Sequence, residues 1–162
     1  MLIKQSQTEL EIEAVRRLFT EYQRFLNADL CFQSFEEELN SLPGKYVHPD
    51  GELLIGLIDN KIVGCVAVRR LDETTCEMKR LYVTSETRGT GLGKKLAEQI
   101  IKIAKNLGYK TMRLDTLERL SEAMRLYEKL GFKKTDAYYK NPLPGVIYWE
   151  LDLKQITSSE NR

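Results

Sequence analysis

Six residues in mid-chain, Arg88-Gly89-Thr90-Gly91-Leu92-Gly93, set three alternating glycines beside a cation. They lie between an apolar run ending Leu81-Tyr82-Val83 and the helix-like segment Leu96-Ala97-Glu98-Gln99-Ile100-Ile101. At a strand-to-helix junction of this kind several backbone N–H groups are exposed where the helix N-terminus carries partial positive charge. The segment therefore reads as a phosphate cradle. Arg88 and Lys94 add cationic side chains. Capping a helix needs one glycine, so capping alone does not account for three.

Two common phosphate loops fail on spacing. A Walker loop requires Gly-x-x-x-x-Gly-Lys followed by Ser or Thr, whereas Lys94 is followed by Lys95, leaving no hydroxyl for magnesium. The dinucleotide fingerprint Gly-x-Gly-x-x-Gly is met at Gly89 and Gly91, but its third position is Lys94. Other chemistries are poorly supplied. The single histidine, His48, lies in Val47-His48-Pro49-Asp50-Gly51, which reads as an exposed turn. Histidine triads and multi-histidine metal sites are thereby disfavoured. Cys31, Cys65 and Cys76 form no close pair, and are expected to be small buried hydrophobes in a reducing compartment. No metal is expected. With 25 basic and 24 acidic side chains the net charge is +1, too small a field to grip nucleic acid or an anionic membrane. The opening residues Met1-Leu2-Ile3-Lys4-Gln5 contain no apolar signal segment, and no run is long enough to span a bilayer. A cytoplasmic, soluble protein is expected.

The elements that must hold the cradle follow from periodicity. Leu2–Gln5 reads as a short strand. Behind a Thr8 cap, Leu10, Val15, Leu18, Phe19, Tyr22, Phe25 and Leu26 recur at helical spacing. Residues 35–42 predict a second helix, with Glu36-Glu37-Glu38 in its first turn complementing the dipole and Pro43-Gly44 stopping it. Residues 52–58 and 61–71 form a hairpin across Asp59-Asn60, and 75–83 a third strand, giving an antiparallel meander. A helix over 93–107, a strand over 111–116, a helix over 119–130, and strands over 133–138 and 146–153 complete the order βααβββαβαββ. That order implies an α/β protein with a mixed sheet flanked by helices, rather than a Rossmann alternation. Without repeats or low-complexity segments, residues 1–156 are expected to form a single domain and 157–162 a flexible polar tail.

The strand Glu77-Met78-Lys79-Arg80-Leu81-Tyr82-Val83 followed by Arg88-x-x-Gly91-x-Gly93 resembles the acetyl-coenzyme A signature of the GCN5-related N-acetyltransferases (GNAT), Arg/Gln-x-x-Gly-x-Gly/Ala. Downstream, Ala123-Met124-Arg125-Leu126-Tyr127-Glu128-Lys129-Leu130-Gly131-Phe132 resembles the family's Ala-x-x-Leu-Tyr-x-x-x-Gly-Phe segment. The resemblance spans residues 52–153 and implies the GNAT, or acyl-CoA N-acyltransferase, fold. It implies acetyl-CoA as co-substrate, with its pyrophosphate on the amides of Gly89, Thr90, Gly91, Leu92, Gly93 and Lys94, and its pantetheine arm on the main chain of Leu81, Tyr82 and Val83. It implies further that Glu77 is the general base, the other reading being a strand carboxylate paired with Lys79. Tyr127 becomes the acid for the leaving thiolate, and the Val83 N–H a donor to the thioester carbonyl. An alkyl ammonium, with a pKa of about 10.4, has no lone pair at neutral pH, and this is why a base is needed. Direct transfer in a ternary complex is expected, strand packing accounting for Cys65 and Cys76. One departure stands out: many relatives carry an asparagine seven residues before the tyrosine, where this chain has Leu120.

The acceptor is not written in these motifs. A small-molecule amine, an amino acid or related metabolite, is the leading expectation. A protein lysine or N-terminus and a non-catalytic acyl-CoA sensor are the alternatives, and the protein is expected to be a monomer or homodimer. The acceptor should enter between the front helices and the last hairpin, where Phe32, Lys45, Tyr46, Tyr138, Tyr139 and Asn141 are candidates. Arg80 and Arg113 are possible partners for an acceptor carboxylate, with solvated strand arginines as the alternative.

Overall fold

The computed structural model describes residues 1–156, Phe32 by its backbone alone; the expected tail over 157–162 lies outside the described residues. The observed order is β1 (Leu2–Gln5), α1 (Glu9–Leu26), α2 (Phe35–Ser41), β2 (Glu52–Ile58), β3 (Lys61–Arg70), β4 (Thr75–Val83), α3 (Leu92–Asn106), β5 (Thr111–Leu117), α4 (Ser121–Lys129), β6 (Lys133–Thr135) and β7 (Val146–Asp152), with short 3-10 turns at Cys31–Gln33, Ser85–Thr87 and Leu153–Gln155. This is the βααβββαβαββ order read from periodicity. The seven strands form one mixed sheet in the order β1-β2-β3-β4-β5-β7-β6.

Local chemistry sets the boundaries. Thr8 and Glu11 close a reciprocal capping box at the start of α1: Thr8 Oγ1 accepts from the Glu11 N–H at 3.2 Å, and Glu11 Oε1 accepts from the Thr8 N–H at 3.0 Å. Asp59 and Asn60, both left-handed at φ 51° and 64°, make the tight two-residue link between β2 and β3. β6 is shorter than the expected 133–138 strand. Its continuation leaves the sheet because Tyr138 and Tyr139 turn inward, their hydroxyls donating to Glu77 and Asp115. Those two bonds satisfy the buried Glu77 and the partly buried Asp115, which edge-strand pairing cannot do.

Helices cover both faces. On one, α3 buries Leu92, Leu96, Ala97, Ile100, Ile101 and Ala104 against β2, β3 and β4, and α4 adds Tyr127. The paired glycines Gly56 and Gly64 make room for α3: a Cβ would stand 2.8 Å from Leu92 Cδ1 at the first and 2.9 Å from Leu96 Cδ1 at the second. On the other face, α1 and α2 pack Val15, Leu18, Phe19 and Phe35 over Ile55, Cys65, Ala67 and Tyr82.

Two irregularities shape the centre of the sheet. β4 and β5 are parallel but pair only through Thr75–Thr111, Cys76–Met112 and Glu77–Arg113; beyond Glu77 the two strands part and leave an opening. Between the Cys65–Tyr82 and Ala67–Lys79 pairs, β4 carries one more residue than β3, and Arg80 in that bulge is left-handed at φ 59°.

Candidate active site

The cradle sits at the start of α3. Gly89 and Gly91 have φ of 85° and 86°, a region that strains any residue with a Cβ. Gly91 is the N-cap and provides no side-chain hydrogen bond; the Leu92 N–H makes a long 3.4 Å bond to Thr90 Oγ1, and the Gly93 and Lys94 amides have no side-chain cap, so the turn still presents donors to an anion. No acidic residue occupies that turn. Leu92 contributes only its backbone, because its side chain is buried beneath the helix. Gly93 meets the end of β4: a Cβ there would stand 3.6 Å from Val83 Cγ2. The cradle thus adjoins Leu81, Tyr82 and Val83, whose strand is paired with β3 and open toward β5. Lys94 stands in the first turn, 3.8 Å from Glu98. Arg88 takes a different place from the one its sequence position suggests. Its guanidinium stacks on the Phe25 ring at 4.3 Å and lies 5.7 Å from the Tyr82 ring, bracing the loop against α1. Thr90 Oγ1 donates to the Thr87 carbonyl at 2.6 Å and steadies the loop.

Tyr127 approaches the opening from the α3 side, its ring 5.6 Å from Phe132 and 6.3 Å from Trp149. Burial first, then the neighbouring Tyr22 and Asp115, push its hydroxyl above the usual tyrosine range.

Glu77 lies on the α1–α2 face of β4; it is buried, where the alternative reading expects an exposed carboxylate, while the pairing with Lys79 in that reading is present. Its side chain is 1% exposed; Oε1 accepts from Arg69 Nε at 2.8 Å, Oε2 accepts from the Tyr138 hydroxyl, and Lys79 Nζ is 3.9 Å away. The carboxylate borders a pocket of about 460 Å³ formed by α2, the loop after it, and β3 and β4. Lys45, Tyr46 and Tyr139 line this pocket as expected. Tyr138 reaches it through Glu77. Asn141 binds Asp115 at 2.8 Å, while the Phe32 side chain lies outside the described residues. Gln33, Arg69, Lys79 and Asp115 were not singled out by motif, because their meeting depends on contacts far apart in sequence.

Three further expectations are corrected. Arg80 is neither solvated nor open to a ligand: its Nε and Nη2 grip Glu38 at 3.0 and 2.8 Å, and its guanidinium faces Phe35 at 5.1 Å. The acidic triplet of α2 therefore does more than complement a helix dipole. Arg113 pairs with Glu150 at 3.0 Å. Cys31 is exposed, whereas Cys65 and Cys76 are buried as expected.

The comparisons with known proteins bear on this geometry. The model of the Acetyltransferase (GNAT) family matches residues 12–132. The chain belongs to the GNAT acetyltransferase family. Its relatives include an uncharacterized N-acetyltransferase of Schizosaccharomyces pombe, 41% identical over 90% of each chain. An N-acetylaspartate synthetase of Danio rerio is 31% identical over 67% of this chain and 39% of that one. An acetyltransferase from Salmonella typhimurium, solved with acetyl-CoA, superposes with a TM-score of 0.73 over 100% of this chain and 99% of that one, at 17% identity. As a GNAT member the chain is an N-acetyltransferase. In this acetyltransferase Leu120 N-caps α4 without a side-chain bond and packs with Leu117, Leu143 and Val146. The polar contact that an asparagine makes there in many relatives is replaced by core packing.

Among the described residues no helix is long and apolar enough to cross a membrane, and no cluster of three or more His, Cys, Asp or Glu side chains suited to a metal is present.

Proposed function

We propose that residues 1–156 act as one domain that transfers an acetyl group from acetyl-CoA to the primary amine of a small molecule, an amino acid or related metabolite. The observation that carries this reading is the opening between β4 and β5. Glu77 and a pocket border it from one face, Tyr127 packs in the core of the other, and the α3 cradle begins beside the end of β4. A pocket of about 460 Å³ fits a small ligand. The relative named for N-acetylaspartate synthesis supports an amino-acid product.

The residues present suit acetyl-CoA. The amides from Gly89 to Lys94 receive its pyrophosphate, and the backbone of Leu81, Tyr82 and Val83 holds its pantetheine arm as an added strand would be held. Glu77 accepts the proton of the acceptor ammonium, directly or through water, and keeps lone pairs for it beyond those used by Arg69 and Tyr138. The freed amine forms the C–N bond, the C–S bond breaks, the second proton of the attacking nitrogen passes to the departing sulfur to give the CoA thiol, and the Val83 N–H steadies the carbonyl oxygen. Tyr127 stays protonated through neutral pH and donates to the departing sulfur. Since its acidity is below that of a thiol, at about 8.5, the donation serves chiefly as a hydrogen bond to the developing thiolate. A buried thiol pushed up to about 12 at Cys76, with Cys65 raised further by full burial, makes an acyl-cysteine route unfavourable and supports direct transfer.

The test is CoA release from acetyl-CoA against a panel of amines, amino acids and peptides. Turnover of free amino acids or similar metabolites is expected. Turnover of peptides alone would replace this reading with a protein acetyltransferase, and tight acetyl-CoA binding without turnover would replace it with a sensor.

A further inference from the structure

The pocket between α2 and β4 holds a cation that the transfer chemistry leaves unused. Lys79 projects from β4 two residues beyond Glu77, just where the strands part. Its side chain is 9% exposed and lines the pocket. The ammonium has three donors to place. Nζ lies 3.5 Å from Gln33 Oε1 and 3.9 Å from Glu77 Oε1, and Arg69 already holds that Glu77 oxygen at 2.8 Å. Neighbouring carboxylates are committed elsewhere: Glu38 to Arg80 through two bonds, and Asp115 to Asn141 and the Tyr139 hydroxyl. Burial first, then the adjacent Arg80 charge, bring the Lys79 ammonium down to about 8, against the opposing pull of Glu77, Glu38 and Asp115.

We propose that Lys79 is the carboxylate anchor of the acceptor site, so that this acetyltransferase selects amines carrying a carboxylate on a neighbouring carbon. The proposal rests on the small-molecule reading above and names its substrate class. The geometry gives the reason. Lys79 Nζ and Glu77 Oε1 are 3.9 Å apart, so one molecule bearing an amine and a carboxylate side by side meets both. Its carboxylate gives Lys79 a closer partner than Glu77 at 3.9 Å, and its amine faces Glu77 and the opening. An amine without a carboxylate, or with an amidated one, enters the same pocket and leaves Lys79 with only its long contacts to Gln33 and Glu77. A site built to bond a polar group of its substrate rejects an analogue lacking that group strongly.

The test compares glycine, alanine and aspartate with the primary amide of each as acceptors, using CoA release from acetyl-CoA. The acids are expected to exceed their amides by about 10²-fold in kcat/KM, mostly through KM. Lys79→Met should erase the preference and Lys79→Arg keep part of it. Both variants are first shown by thermal shift to retain acetyl-CoA binding. Equal use of acids and amides by the wild type, or a preference surviving in Lys79→Met, overturns the proposal. Calorimetric titration of succinate, a carboxylate without an amine, needs no turnover. Binding weakened at least tenfold by Lys79→Met is expected, and binding indifferent to the substitution overturns the anchor. If succinate binding depends on Lys79 while no amine is acetylated, the anchor stands and the transferase reading falls. If amides turn over as well as acids, the reverse holds.

Discussion

Lys79 and Arg80 are consecutive in β4 and yet face the same side of the sheet, because Arg80 turns left-handed at φ 59° in the bulge. A regular strand would send one of them into the α3 core. The bulge instead puts one cation in the pocket wall and the next beneath α2, where Glu38 holds it in a two-pronged pair. The left-handed backbone costs about 1–2 kcal/mol at a residue with a Cβ, and the Arg80 contacts with Glu38 and Phe35 offset it.

Arg80→Ala takes from Glu38 the guanidinium that holds it by two bonds in a largely buried site. A loss of about 3–5 kcal/mol is expected in urea unfolding. Removing both partners with Arg80→Ala and Glu38→Ala together should cost less than the sum of the single changes. Strict additivity would mean that the pair contributes no coupling.

Two kinds of glycine support α3, and substitution should separate them. Gly91 has open space where a Cβ would stand but a φ of 86°. Gly91→Ala is therefore expected to cost about 1–2 kcal/mol of backbone strain and to shrink the thermal shift produced by acetyl-CoA. Gly56→Ala meets buried Leu92 at 2.8 Å. About 1–3 kcal/mol of overpacking is expected there, recovered in part by Leu92→Val.

Tyr127→Phe removes the hydroxyl while keeping the ring among Phe132 and Trp149. A fall of about 10²-fold in kcat is expected with little change in the melting temperature. Because burial holds the Tyr127 hydroxyl above its ordinary range, the alkaline side of the pH–rate profile should look alike in wild type and variant. An unchanged kcat would remove Tyr127 from the chemistry.

Much of the frame was legible locally. Thr8 with Glu11, the pair Asp59-Asn60 and the glycines of the cradle each act over a few residues, and the structure places the elements where those signals put them. The site was less legible because its contacts are distant: Tyr138 reaches Glu77 across 61 positions, and Lys79 reaches Gln33 across 46. The same inward turn of Tyr138 and Tyr139 ended β6 early. One feature of β4 is nonetheless local. In Glu77-Met78-Lys79-Arg80-Leu81-Tyr82-Val83 the polar–apolar alternation slips by one residue between Lys79 and Arg80, which marks the bulge.

Glu11 links fold stability to pH. Lys4, 2.6 Å away, and the amides of Thr8 and Gln7 hold its carboxyl down at about 2. The unfolded chain has an ordinary glutamate, at about 4.3, so it binds the proton first as the solution is acidified. The stabilisation is complete above that value and is lost as pH falls toward 2. Glu11→Gln should lower stability at neutral pH and flatten its decline between about pH 4.5 and 2, read by urea unfolding at each pH. A decline as steep as that of the wild type would assign the acid sensitivity to other carboxylates.

Glu77→Gln keeps the size of the side chain and an oxygen for Arg69, and the Tyr138 hydroxyl can accept from the new amide. Folding should therefore survive, with a melting temperature close to that of the wild type. Base strength is lost, and a fall of about 10²-fold in kcat/KM is expected at neutral pH. The deficit should shrink as pH rises, since an acceptor amine that loses its proton to solvent no longer needs Glu77. A deficit constant across pH would show that Glu77 positions Arg69 and Tyr138 around the acceptor and takes no proton.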